Sequence, residues 1–109
     1  MRLVNLTPHP VAIYRDRAAG DGPEEVIPPS GTVARVATVE LGKDDDGYPV
    51  VEYGHAEGLP GQESGVRCIV SLVLALAVRA ERDDLYAPYG EVRNEQGTMI
   101  GCRTLQRVF

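Results

Sequence analysis

The sequence predicts a small α+β domain in which a mostly antiparallel β-sheet, or a partly closed barrel, packs against one central apolar helix. Short segments rich in β-branched residues recur along the chain between glycine and proline punctuation. Polar turns at Lys43-Asp44-Asp45-Asp46-Gly47 and Asn94-Glu95-Gln96-Gly97 each separate two such segments. The longest apolar run, Cys68 to Val78, is interrupted only by Ser71 and has apolar residues at helical spacing. With 109 residues, the chain fits one compact domain over residues 1–109.

Leu3 to Thr7 reads as a strand, and Pro8-His9-Pro10 as a rigid turn, because prolines on both sides of His9 remove ladder donors. Val11 to Tyr14 is the second strand. Residues 16–23 form a polar surface loop, and Glu25-Val26-Ile27 is a short strand stopped by Pro28-Pro29-Ser30-Gly31. Thr32 to Leu41 and Pro49 to Tyr53 pair as a hairpin. The stretch 54–65, with four glycines and one proline, is expected to be a flexible loop.

Val66 to Val70 begins as a strand, after which the Ser71 hydroxyl can cap a helix over Leu72 to Ala80. Apolar residues on every face of that helix predict burial on most sides, against the sheet and against a second subunit. The β-branched residues Ile69, Val70, Val73 and Val78 keep an extended reading of the same run open. Leu85 to Ala87 is a brief strand ended by Pro88, and Glu91 to Arg93 pairs with Thr98 to Val108 as the last hairpin.

Composition excludes several functions. Sixteen acidic and eleven basic residues give a net charge of -5, so the whole molecule should not attract nucleic acid or an anionic membrane. No apolar run approaches the length of a bilayer crossing. The opening Met1-Arg2-Leu3, running into Asn5 and Pro8, is too short and polar for a signal peptide, so the expected location is the cytoplasm. Cys68 and Cys102 lie in apolar segments and read as packing residues. Arg79, Arg82, Arg93, Arg103 and Arg107 supply the only basic patch that could hold an anion.

Asn5, Thr7 and His9 form the most chemically suggestive local group. Asn5 and Thr7 fall on one side of a strand, and His9 can exchange a proton near neutral pH. The plainer reading is that Asn5 and Thr7 satisfy backbone groups where the chain turns. Arg79, Arg82 and Asp83 close the helix; their cations suit either the helix carbonyls or a bound phosphate. Asp44 to Asp46 lack the glycine and glutamate spacing of a calcium loop, and two histidines and two cysteines in separate segments offer no close metal pair. No metal or cofactor is expected.

Asn5-Leu6-Thr7-Pro8-His9, Ile27-Pro28-Pro29-Ser30-Gly31-Thr32-Val33-Ala34-Arg35-Val36, and Ile69-Val70-Ser71 followed by Arg82-Asp83-Asp84-Leu85 and Arg93-Asn94-Glu95-Gln96-Gly97 occur in this order. Together they resemble a family of small uncharacterised proteins from tailed bacteriophages, prophages and high-GC bacterial genomes. The likeness covers most of the chain and is weakest over residues 43–65. It implies a phage accessory or host-modulating role, in the host cytoplasm if the gene belongs to a phage, and carries no catalytic residue.

The leading functional expectation is a non-catalytic module that binds a host or phage protein and self-associates. Exposed tyrosines near loops, Tyr48, Tyr53, Tyr86 and Tyr89, suit such contacts. The competing expectation is a binding protein or enzyme for a small nucleotide-like anion, with Asn5, His9, Arg82 and Asp83 converging on one pocket.

Overall fold

The computed structural model describes residues 1–108; Phe109, the only phenylalanine, lies outside the described residues. Eight strands, one α-helix and a single 3-10 turn follow in the order β1 (Arg2–Asn5), β2 (Val11–Ile13), the 3-10 turn (Ala19–Asp21), β3 (Glu25–Ile27), β4 (Arg35–Lys43), β5 (Pro49–Glu57), β6 (Val66–Ile69), α1 (Leu72–Ala77), β7 (Leu85–Arg93) and β8 (Met99–Arg107). Six of the strands form one sheet in the order β1-β6-β7-β8-β2-β3, while β4 and β5 pair only with each other.

The main sheet is mixed. β1 runs parallel to β6, β6 to β7 and β2 to β8, whereas β7/β8 and β2/β3 are antiparallel. Alternation of side chains splits its core in two. Val4 and Cys68 face α1 with Leu6, Val70, Leu74 and Val78. Leu3 and Ile69 face the other way, toward Val11, Ile13, Ile27 and Cys102. Among the described residues no helix covers that second face, yet Ile69 is 0% exposed and Ile13 1%. The sheet covers it by curling until its two edges meet.

They meet at Asn5. A parallel bridge joins Asn5 to Pro29, just past β3, and the Ser30 amide donates to the Asn5 carbonyl at 2.9 Å. The six-stranded sheet is therefore nearly closed. Gly101 permits the tight seam between β8 and β2, because a Cβ there would stand 2.6 Å from both the Ala12 carbonyl oxygen and the Tyr14 ring.

β1 stops at Asn5, short of Thr7, and β4 starts at Arg35, past Thr32; three further elements differ more from the sequence reading. The helix ends at Ala77, and only Leu74, Ala75 and the following Val78 are buried. Leu72, Val73 and Leu76 are 44%, 50% and 41% exposed, so the expected burial on most sides is not met within one chain. Ser71 does cap the helix, accepting from the Leu74 amide at 3.2 Å.

β7 runs without a break through Pro88. The Tyr86 carbonyl faces β6, accepting from the Val70 amide at 2.8 Å. Pro88, two residues on, presents its nitrogen to that same edge. β6 has already ended there, so no ladder bond is lost.

β5 continues to Glu57, four residues into the expected loop. The rest of that loop is tied down. Leu59 packs on the core, the Pro60 carbonyl accepts from Arg82 Nη1 at 2.9 Å, and Gln62 donates to Asp83.

Both long hairpins turn by one device. Asp44 Oδ1 accepts from the Asp46 and Tyr48 amides, and Asn94 Oδ1 from the Gln96 and Thr98 amides. Gly47 and Gly97 then take φ of 88° and 80°, a conformation open to glycine at little cost.

Candidate functional site

Asn5 is 1% exposed, and its side chain is fully engaged. Nδ2 donates to the carbonyls of His9 at 2.9 Å and Ile27 at 3.0 Å. Oδ1 accepts from the Thr7 amide at 2.9 Å and from Thr7 Oγ1 at 2.6 Å. An amide has two donors and two acceptor lone pairs, so none remains for a ligand. Asn5 and Thr7 hold the proline turn against β3, which leaves the His9 side chain exposed at its tip.

Arg82 and Asp83 lie at the opposite end of the strands. Arg82 forks onto Asp84, with Nε to Oδ1 and Nη2 to Oδ2 both at 2.8 Å. Asp84 is 1% exposed, and the guanidinium beside it holds its carboxyl below the usual range. This pair, one residue beyond the expected Asp83, fixes the entry to β7; Asp83 itself is exposed and meets Gln62.

Two further arginines of the anticipated basic patch are also committed. Arg93 binds Glu91 and the Gly97 carbonyl, and Arg103 Nη1 donates to the carbonyls of Arg15 and Arg17 at 3.1 and 2.6 Å. Arg79 and Arg107 are exposed.

An open cleft of about 540 Å³ lies between the proline turn, the β6–α1 junction and the middle of β7 with the start of β8. Thr7 and His9 line it; Arg79, Arg82 and Asp83 do not. At about 3.3 Å per strand residue, Asp84 and the cleft residue Tyr89 are roughly 16 Å apart along β7. The structure therefore does not gather Asn5, His9, Arg82 and Asp83 into one pocket. Tyr89, Glu91 and Ser71 line the cleft instead. No motif marks them in the sequence, because they are brought together by strand order.

The thiols are buried and free. Burial pushes both up, with nearby Asp84 adding to the effect at Cys68. Among the described residues, no three His, Cys, Asp or Glu side chains gather in a metal-binding arrangement, and no helix is long and apolar enough to cross a membrane.

The other unusual surface is the β4–β5 ribbon. Only its base packs on the core, through Val36 and Ala56. The radius of gyration, 16.1 Å, exceeds the roughly 13 Å expected of a compact chain of this length. Cross-strand partners share a face, so Tyr53, opposite Thr38, lies with Val51, opposite Glu40. Val39, opposite Glu52, lies on the other face. Val39, Val51 and Tyr53 are 47%, 43% and 54% exposed, so both faces show apolar side chains to solvent. Arg35 to Glu57 also carries six acidic and two basic residues, a net -4 of the chain's -5. No protein-family model, curated protein or solved structure matches the chain.

Proposed function

We propose that this is a non-catalytic accessory module, of the phage type its sequence blocks resemble, that binds a host or phage protein through the β4–β5 ribbon. The ribbon's isolation from the main sheet carries this reading. A lone two-stranded hairpin is marginal in water, and apolar side chains on both of its faces favour burial against another surface. The charge selects the kind of surface: an arm of net -4 on a body of net -1 suits a groove with basic edges and an apolar floor.

Two bulges in β4–β5 and Pro49 at the start of β5 blunt its edges. Such features discourage indiscriminate strand pairing and leave the faces as the docking surface. The exposed Leu72, Val73 and Leu76 of α1 favour self-association through the helix, since two arms of like charge repel. Asn5 and Arg82 are both committed within the fold, which disfavours the anion-binding alternative built on them.

Affinity capture from cells that encode the protein tests the reading. The tagged wild type should retain a specific protein that salt releases and that Val51→Ser with Tyr53→Ser loses while keeping its fold. Equal retention by the double variant contradicts the reading.

A further inference from the structure

We infer that the cleft beside the proline turn is a binding site for a small planar aromatic molecule, neutral or positively charged. This site is separate from the ribbon and does not depend on the reading above. Its size, about 540 Å³, falls among those of small-molecule sites, roughly 300–1,000 Å³. It lies beyond the carboxyl ends of β1 and β6, at the mouth of the curled sheet.

The walls are fixed. The buried Asn5 amide sets the proline turn on one side. On the other, Gly101 seats β8 against Tyr14 and Ala12, and a Cβ at Gly90 would press on Arg103 at 3.0 Å. A site held open by its own packing loses little entropy on binding.

The lining chemistry selects the ligand. Pro10, Pro88 and Ile100 give an apolar surface, and the exposed Tyr89 ring offers an aromatic face. Arg93 grips only one oxygen of Glu91, with Nε and Nη2 both on Oε2, so Oε1 remains an acceptor. The Ser71 oxygen caps α1, so its proton is free to donate. No lysine or arginine among the described residues lines the cleft, and the cation beside it, Arg93, is already paired with Glu91 and the Gly97 carbonyl, so an anion would find no free positive partner. A flat ring carrying N–H donors matches this rim.

Three probes of one shape and different charge test the inference: benzamidine, benzamide and benzoate. In titrations followed by amide chemical shifts, benzamidine and benzamide should saturate, with shifts centred on Val70, Gly90 and Ile100, and benzoate should bind least. Glu91→Gln should weaken benzamidine by about threefold to tenfold, the loss of one charge-assisted contact at a partly exposed site, and leave benzamide nearly unchanged. Equal or tighter binding of benzoate, shifts centred elsewhere, or no saturable shift with any probe at millimolar concentration would overturn it.

Discussion

The Asn5 side chain reaches across the mouth of the curled sheet to the Ile27 carbonyl at 3.0 Å, tying the end of β1 to the end of β3. These strands are the two edges of the six-stranded sheet, so one amide closes it where the backbone ladder contributes a single bridge. Asn5→Ala removes four hydrogen bonds and takes the side-chain donor from the buried Ile27 carbonyl. Each bond contributes about 1 kcal/mol net, so the loss should be about 3 kcal/mol or more in urea unfolding. A loss below about 1 kcal/mol would mean that the edges hold without it.

The Arg82–Asp84 fork should make stability depend on pH. The Arg82 hydrogen bonds lower the Asp84 pKa from its ordinary value of 3.8 in the folded state. The contribution is therefore complete above that value and is lost as pH falls through the depressed one. Asp84→Asn should flatten the acid limb of the stability profile below about pH 4. Arg82→Ala leaves a buried carboxylate unpaired and should cost about 3 kcal/mol at neutral pH. An unchanged acid limb in Asp84→Asn would refute the assignment.

Both thiols should resist alkylation in the native protein. Cys68 is 2% exposed and Cys102 5%, and burial raises the pKa of each. Labelling with iodoacetamide at pH 7.5 should follow the unfolding transition in urea. Rapid labelling without denaturant would show that the sheet opens locally.

Self-association should run through α1. Light scattering should give a molar mass that rises with protein concentration, and Leu76→Lys should hold it at the 11.8 kDa of one chain. A wild type that stays at that mass at every concentration removes the helix from the interaction surfaces.

Much of this fold was legible where local chemistry decides it. The Asp44 and Asn94 turns, the Ser71 cap and the packing role of the cysteines all follow from residues whose partners lie within a few positions or in the core. The end of α1 was not, because residues 78–80 contain neither glycine nor proline to mark a stop. Pro88 misled for a different reason: its lost donor matters only if a neighbour is present, and the end of β6 is set by tertiary structure. The site was legible only in part. Asn5, Thr7 and His9 stand out as a local group, but four side-chain hydrogen bonds turn Asn5 inward. Ser71, Tyr89 and Glu91 meet His9 around the cleft through strand order, which no spacing encodes.

Photo-crosslinking in the cell tests the ribbon's role most directly, with a benzophenone amino acid placed singly at Val51, Tyr53 or Val26. The first two lie on one face of the β4–β5 ribbon, and Val26 is a 52% exposed control on β3. Discrete adducts to one protein from Val51 and Tyr53, absent from Val26, are the predicted result. Adducts only from Val26, or none from either ribbon position, would contradict docking through the ribbon.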